Sequence, residues 1–239
     1  KNVLISTLLI FSLSIPAMAL QEEIEAEISE YIAVFKANDN DAERVVMDKL
    51  VWAGYSSEAL YDVIAAELTL VKNSKEKAAK RQAFWYAKAL SMSGNDKYRA
   101  ILKEVASTSS NKKAREHAEI SLGRLSVYKA WNPVISAGLE DAPLGRLEAT
   151  RVKNMINADD FLLVRIGAKR LFRAHLQDTE LVEVAKNRLT SEWRLVDEEN
   201  DPQLDSVAWL IKAIGAAGDK SAVPLLKEIE SGSNIKKVK

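Results

Sequence analysis

The sequence predicts an all-α protein. Ala, Leu, Glu, Lys and Arg dominate, apolar residues recur at i, i+3, i+4 and i+7, and no run alternates with period two. The 9 Gly and 5 Pro residues are few for 239 positions and stand mainly at breaks between helical segments. We expect helices at 21–37, 41–53, 57–72, 75–92, 96–108, 111–130, 144–157, 159–175, 178–195, 202–217 and 220–231.

Several of these helices have recognisable starts. Ser57 and Asp178 precede apolar-periodic segments and are expected to cap them, and Asp159 and Asp160 are expected to cap the helix that starts near Phe161. Pro202 suits a first helical turn, where its missing N–H has no helical partner to lose. By contrast, residues 132–145 hold two Pro and two Gly and predict an irregular insertion, although Val134, Ile135 and Leu139 look buryable.

The composition excludes several functional classes. Lys plus Arg and Asp plus Glu both number 34, so the formal net charge is zero. This argues against a nucleic-acid binder, which relies on excess cations to neutralise phosphates. The sequence has no Cys, which excludes disulfides, thiol catalysis and Cys-ligated metals.

Residues 1–19 read as a cleavable secretory signal peptide. Lys1 supplies the positive start, Val3–Ile15 the apolar stretch, and Ala17-Met18-Ala19 an A-x-A cleavage site. The alternative is an N-terminal membrane anchor, but the apolar run is short for a bilayer of about 30 Å. We therefore expect a periplasmic or secreted protein whose mature chain starts at Leu20, with no stable membrane insertion after cleavage. Because the sequence does not begin with Met, we expect at least an initiator Met to precede Lys1.

Two segments of the chain align without a gap at an offset of 124 residues. Trp85 to Lys113, WYAKALSMSGNDKYRAILKEVASTSSNKK, matches Trp209 to Lys237, WLIKAIGAAGDKSAVPLLKEIESGSNIKK, at 11 of 29 positions. The offset divides into three units of about 41 residues, a length typical of paired-helix repeats. Gly218-Asp219 is then the predicted turn between two helices of one unit.

The segments IGAAGDKSAVPLLKEI and REHAEISLGRL resemble the HEAT repeat of the armadillo-like superhelix. The resemblance implies a right-handed α-α superhelix (solenoid), with residues 20–239 as one helical-repeat domain whose clearest repeats are 75–131 and 159–239. It carries no catalytic residues. Because Lys236-Lys237-Val238 matches the start of a helix, we also expect the C-terminus to be truncated, since a last repeat needs a polar cap.

We expect no enzyme activity, cofactor or metal site. The two His residues, His117 and His175, lack a second ligand at metal spacing and read as helix-surface or helix-end residues. Adjacent carboxylates such as Asp159-Asp160 point in different directions on a helix, so they do not form an acid/base pair. The acidic run 197–201 lacks the spaced oxygens and Gly of a Ca²⁺ loop.

The Trp residues are the main candidates for binding. Trp85 and Trp209 occupy equivalent positions and are interpreted as core. Trp131 and Trp193, with Arg188 and Arg194, are candidate partner-binding residues because Trp and Arg are enriched in binding hot spots. The alternative is core, which Trp193 favours because it shares a helical face with apolar residues: Val182, Ala185 and Leu189.

The predicted function is a non-catalytic scaffold or adaptor that binds a protein or peptide, as a monomer, in the periplasm. Basic clusters at 72–81 and 111–115 and acidic clusters at 21–30 and 197–201 are either solvated helix surface or the walls of a polarised groove. Two alternatives remain: an accessory domain of a cell-envelope enzyme whose catalytic module lies outside this chain, and a structural module without a specific ligand.

Overall fold

The computed structural model describes residues 14–37 and 39–238, with side chains from residue 19 onward, and within this part of the chain it is all-α. No strand occurs among these residues, and every predicted helix is present. The α-helices are α1 Ser14–Ala37, α2 Asn40–Ala53, α3 Glu58–Val71, α4 Lys77–Met92, α5 Arg99–Thr108, α6 Lys112–Ile135, α7 Leu147–Ile156, α8 Phe161–Ala174, α9 Thr179–Glu192, α10 Asp201–Ala217 and α11 Val223–Gly232.

Side-chain caps start several helices where the sequence predicts them. Ser57, Asp160 and Asp178 each accept a hydrogen bond, at 2.8–3.5 Å, from a backbone N–H in the first turn of α3, α8 and α9. These bonds satisfy N–H groups that have no partner inside a helix. Asn200 caps α10, which places Pro202 in the first turn as expected.

The two aligned segments have the same order of local structures. Helix α4 ends before Gly94, at φ +60°, and α10 ends before Gly218, at φ +69°. A 3-10 turn follows each glycine, at Asp96–Tyr98 and at Lys220–Ala222, and leads directly into α5 or α11. Both 3-10 turns, and both helices after them, start and end 124 residues apart. The predicted turn at Gly218-Asp219 is therefore confirmed.

The side-chain hydrogen bonds before α5 and α11, and those after them, also correspond. Asn95 and Asp219 each accept from the backbone N–H two residues further on, at 2.9 Å. After α5 and α11, the hydroxyls of Ser109 and Ser233 accept from the N–H two residues on, both at 3.1 Å. The polar residues that the alignment pairs thus perform the same local task in both segments.

The segment 132–145 is irregular from residue 136 onward, as predicted, but its first four residues are helical. Helix α6 continues through Pro133 to Ile135, although Pro lacks the N–H that a helix interior uses. Pro133 removes one backbone N–H from the last turn of α6, and Ile135, the last residue of the helix, is completely buried. Leu139 is buried as expected, whereas Val134 is 40% exposed.

The chain divides into two compact units. Unit 1 contains the described residues up to Val51, together with Tyr55–Ala130 and Gly138–Leu147. Unit 2 contains Trp52–Gly54, Trp131–Ala137 and the described residues from Glu148 onward.

In unit 1, α3 packs against α1 and α4, and α4 contacts α5. Aromatic side chains fill this core. Phe35 of α1 meets Tyr86 of α4 edge-to-face, with ring centroids 5.9 Å apart. Leu20, the predicted first residue of the mature chain, is 2% exposed and packs with Leu139 and Leu147.

In unit 2, α8 and α10 pack along each other, and α9 contacts both. Helix α8 also approaches α7 closely at Gly167. A Cβ at this glycine would lie 2.8 Å from the Cβ of Met155, nearer than real Cβ atoms come to other side chains. The absence of a side chain at Gly167 therefore sets the distance between these two helices.

The predicted signal peptide, residues 1–19, lies for the most part outside the described residues and stays a prediction. In the portion of the chain that the structure covers, no helix combines the length and apolarity needed to cross a bilayer.

Alanine substitution of the two equivalent glycines is expected to have unequal effects. Gly94→Ala and Gly218→Ala both force a left-handed alanine, which costs about 1 kcal/mol. A Cβ at Gly94 would also lie 2.6 Å from the backbone nitrogen of Lys129, whereas Gly218 faces open space. We expect G94A to lower the free energy of unfolding by about 3 kcal/mol and G218A by about 1 kcal/mol.

Urea unfolding followed by circular dichroism measures both losses. G218A serves as the matched control because it carries the same backbone strain without the collision. Equal losses for the two variants would contradict the close approach of Gly94 to α6.

Candidate functional site

Trp131, a predicted binding residue, is 8% exposed and hydrogen-bonded inside unit 2. Its indole Nε1 donates to Oδ2 of Asp160 at 2.8 Å. The other carboxylate oxygen of Asp160 accepts from the backbone N–H of Leu162, also at 2.8 Å. One carboxylate therefore caps α8 and holds the Trp131 ring. A role for Trp131 with a partner stays a prediction.

Trp193 and the two predicted arginines lie at the end of α9. Trp193 is 8% exposed, and the guanidinium carbon of Arg194 lies 4.3 Å from its ring centroid. Arg194 also forms an ion pair with Glu228. The Arg188 side chain, 15% exposed, pairs with Glu192 at 3.2 Å. Arg194 is the most exposed of the four predicted residues, and its charge is already paired within the chain.

The apolar neighbours predicted for Trp193 are buried with it: Val182, Ala185 and Leu189. This burial agrees with the core alternative. The Trp193 ring also leaves little space for a side chain at Gly232, because a Cβ there would lie 3.1 Å from the ring.

A different set of residues forms a cationic and aromatic surface on unit 2. We call it the α8–α10 surface: Arg165, Lys169, Phe172, Trp209 and Lys212. The three α8 residues follow one another at i, i+4 and i+7, so they share one helix face. None of the five is fully buried, and Lys212 is exposed. The opposite faces of both helices supply the core of unit 2.

The two aromatic rings of the α8–α10 surface lie among its lysines. Phe172 meets Trp209 edge-to-face at 5.8 Å. The Nζ of Lys169 is 4.8 Å from the Trp209 centroid, and the Nζ of Lys212 is 4.6 Å from it and 4.8 Å from the Phe172 centroid. Ammonium groups at these distances are attracted to the ring faces.

Positive charge is in excess at this surface. Asp205, whose charge acts to raise the pKa of Lys169, accepts from Arg165 at 2.9 Å and also pairs with Lys237. Within the described chain, neither Lys169 nor Lys212 has a carboxylate partner. The pKa of Lys169 is lowered by burial first, and then by repulsion from Arg165 and the nearby Arg173.

A comparable surface lies on unit 1, and we call it the α4–α6 surface: Phe84, Trp85, Lys88, His117 and Arg124. The imidazole of His117 stacks on Phe84, and Trp85 is tilted against Phe84, both with centroids 5.0 Å apart. The Nζ of Lys88 lies 5.2 Å from the Trp85 centroid. This lysine is partly buried, and in the described chain it has no carboxylate partner.

The alignment pairs Trp85 with Trp209 and Lys88 with Lys212, so the sequence already contained the signal for both surfaces. The interpretation of these Trp residues as core is only partly right, because both rings stay partly exposed beside a lysine. A Trp and a Lys three residues apart lie on one helix face. That spacing, present in both segments, predicts a cation–aromatic pair.

Unit 2 also holds a partly buried ionic cluster around Glu148. Its Oε1 accepts from Arg170 and lies 2.8 Å from Nε2 of His175, at the end of α8. Arg170 also lies over the Trp52 ring at 4.5 Å. Burial acts to raise the pKa of Glu148, but the hydrogen bonds from His175 and Arg170 outweigh it and hold the pKa at about 2. His175 directly follows the last residue of α8, so it lies at a helix end, as predicted.

A second polar cluster is buried in the core of unit 1. The carboxylate of Glu43, 1% exposed, accepts from the Tyr86 hydroxyl at 2.8 Å and from Nε2 of Gln82 at 3.4 Å. Burial raises the pKa of Glu43 more strongly than these hydrogen bonds lower it. The donors from α4 account for a carboxyl group in this position, since burial of an unpaired one would be costly.

Across residues 14–37 and 39–238, no three His, Asp or Glu side chains are grouped so as to hold a metal ion. In comparisons with known proteins, no family model, no curated protein and no solved structure matches the chain.

Replacing the carboxylate at the centre of the unit 2 cluster is expected to reduce stability in a pH-dependent way. Because the pKa of Glu148 is lower in the folded chain than its ordinary value of 4.5, its contribution is complete above pH 4.5. The contribution declines as the pH falls toward 2. We expect Glu148→Gln to lower the free energy of unfolding at pH 7 by about 2 kcal/mol, allowing for its partial exposure to solvent.

Urea unfolding of E148Q and the parent protein at pH 7, 5, 4 and 3 measures this difference. Glu230→Gln, a charge change on the exposed side of α11, is the control and should stay within about 0.5 kcal/mol of the parent. A stability difference for E148Q that persists unchanged at pH 3 would contradict the assignment.

Proposed function

We propose that this chain is a non-catalytic binding protein that holds an acidic protein segment on the α8–α10 surface. One observation carries the proposal: Lys169 and Lys212 flank a partly exposed Trp209 and have no carboxylate partner among the described residues. A carboxylate from another protein supplies the missing partner.

Several partly buried cations in this chain are paired, whereas Lys169 is partly buried and has no carboxylate partner among the described residues. Lys186 bonds Glu183 at 2.7 Å, Arg170 bonds Glu148, and Lys72 bonds Glu104. Leaving a partly desolvated charge unpaired is unfavourable. A bound carboxylate beside Lys169 offsets the repulsion from Arg165 and Arg173 that lowers its pKa. Charge complementarity therefore favours an anionic ligand.

The aromatic rings favour a protein segment over a small free anion. Phe172 and Trp209 present apolar surface next to the ammonium groups, and a peptide side chain can cover it while its carboxylate reaches the lysines. Trp and Arg at such a surface are the residue types that carry most of the energy in protein interfaces. The zero net charge of the chain weighs against nucleic acid as the ligand.

The proposal includes the finer fold and the compartment predicted from the sequence. We propose HEAT-type helical repeats, arranged as a right-handed superhelix, in a periplasmic monomer. The matching helix bounds and cap hydrogen bonds of the two 29-residue segments support the repeats. The A-x-A motif at residues 17–19 supports export.

The chain offers a local reporter for the binding test. It has 5 Trp residues, so 5-fluorotryptophan labelling gives few ¹⁹F resonances, and the one lost in Trp209→Phe identifies Trp209. The probe is the acetylated and amidated peptide Glu-Glu-Leu-Glu-Glu. We expect it to shift the Trp209 resonance in a saturable way, with an apparent affinity that falls as salt increases because added ions screen the charges.

The double variant K169Q/K212Q is expected to weaken this binding at least tenfold because it removes both unpaired charges. K220Q/K227Q removes two exposed lysines of unit 2 outside the surface and should bind like the parent protein. Equal binding of the neutral peptide Gln-Gln-Leu-Gln-Gln, or unchanged binding by K169Q/K212Q, would refute the proposal.

A further inference from the structure

The α4–α6 surface of unit 1 shares its central pair with the surface just assigned. Trp85 and Lys88 stand where the alignment places Trp209 and Lys212, and in both pairs the ammonium lies about 5 Å from the ring centroid. Helix packing alone explains a partly buried ring, but it does not explain why a lysine without a carboxylate partner among the described residues recurs beside it. The recurrence points to a shared ligand chemistry.

The charges around Lys88 are predominantly positive. Burial lowers its pKa most, and repulsion from Arg124 on α6 lowers it further, while Asp48 acts in the opposite direction. The pKa of His117 is also lowered, by burial first and then by Lys88, with smaller effects from Arg124 and Lys113. Glu116 is the carboxylate that opposes these effects on His117.

The α4–α6 surface has a histidine that the α8–α10 surface lacks, and an exposed apolar residue, Ile120, lies beside it on α6. His117 adds an imidazole stacked on Phe84, and Ile120, one turn further along α6, is 52% exposed. Residues 117, 120 and 124 lie at i, i+3 and i+7, so His117, Ile120 and Arg124 share one helix face. An exposed apolar side chain therefore lies on the same face of α6 as a histidine and an arginine.

We propose that the α4–α6 surface is a second binding site, independent of the first, for a protein segment that carries carboxylates next to an apolar side chain. A carboxylate pairs with Lys88 and Arg124, and the apolar group covers Phe84 and Ile120. The proposal rests on the proposed function for the class of ligand, but its residues lie in unit 1 alone.

His117 provides a reporter that responds to charge. A carboxylate bound beside the imidazole favours its protonated form, so binding raises the pKa of His117. By linkage, the same site binds the carboxylate more tightly as the pH falls through the pKa of His117. A merely structural histidine has no reason to respond to the peptide.

The experiment is a pH titration, followed by proton NMR, of the Hε1 resonances of the two histidines with and without the peptide Glu-Glu-Leu-Glu-Glu. Because the chain has only 2 His residues, the variant His175→Asn leaves a single resonance, that of His117. We expect saturating peptide to raise the pKa of His117 by about half a unit or more. The His175 resonance of the parent protein and the neutral peptide Gln-Gln-Leu-Gln-Gln serve as controls.

Two variants test the residues. K88Q is expected to raise at least tenfold the peptide concentration that gives half of the full His117 pKa shift. K80Q, which replaces an exposed lysine on the same helix, is expected to leave that concentration unchanged. Because Lys88 is partly buried, the exposed Arg124 provides a second variant, R124Q, expected to weaken binding about threefold to tenfold. An unaltered response in both K88Q and R124Q would overturn the proposal.

The two binding proposals can be refuted independently of each other. A His117 resonance that does not move while the ¹⁹F signal of Trp209 does would refute the second site and leave the proposed function standing. Movement of His117 alone would refute binding at the α8–α10 surface and support the second site. If neither signal moves, both proposals are refuted.

Discussion

The turn between two helices is the constraint on which both proposed binding surfaces depend. At Gly94 and Gly218 the chain adopts a left-handed conformation, and an Asn or Asp then caps the next turn. This combination ends one helix and sets where the next one begins. At Gly94 the backbone of α6 lies so close that no side chain fits. The register of α4 is thereby set, and with it the face on which Trp85 and Lys88 lie.

The same register explains why the rings are neither core nor fully exposed. In α10 the deeply buried residues include Val207, Leu210 and Ile214, and Trp209 lies at the edge of that stripe. A lysine three residues later folds its ammonium over the ring and keeps contact with water, so both side chains gain from their position. The two cation–aromatic surfaces thus lie at the margin of the helix-packing interface, where apolar area and charge meet.

Buried polar groups elsewhere show how this chain usually treats charge. Glu43 receives hydrogen bonds from Tyr86 and Gln82, and Glu148 receives them from Arg170 with His175 alongside. Each cluster joins residues from different helices and satisfies the group that folding removes from water. Against this pattern, Lys88 and Lys169 stand out, because each is partly buried and has no carboxylate partner among the described residues. This missing partner is the basis of the proposed binding function.

Local patterns in the sequence determined the all-α class, the approximate helix bounds, the caps at Ser57, Asp160 and Asp178, and the equivalence of the two 29-residue segments. These features depend on neighbours within about one helical turn, which the sequence displays directly. The tertiary structure alone decided that Trp131 is held by Asp160, that α6 runs through Pro133, and that certain lysines lack a carboxylate. Each of these depends on groups brought together from distant parts of the chain, and side-chain periodicity carries no information about which distant groups meet.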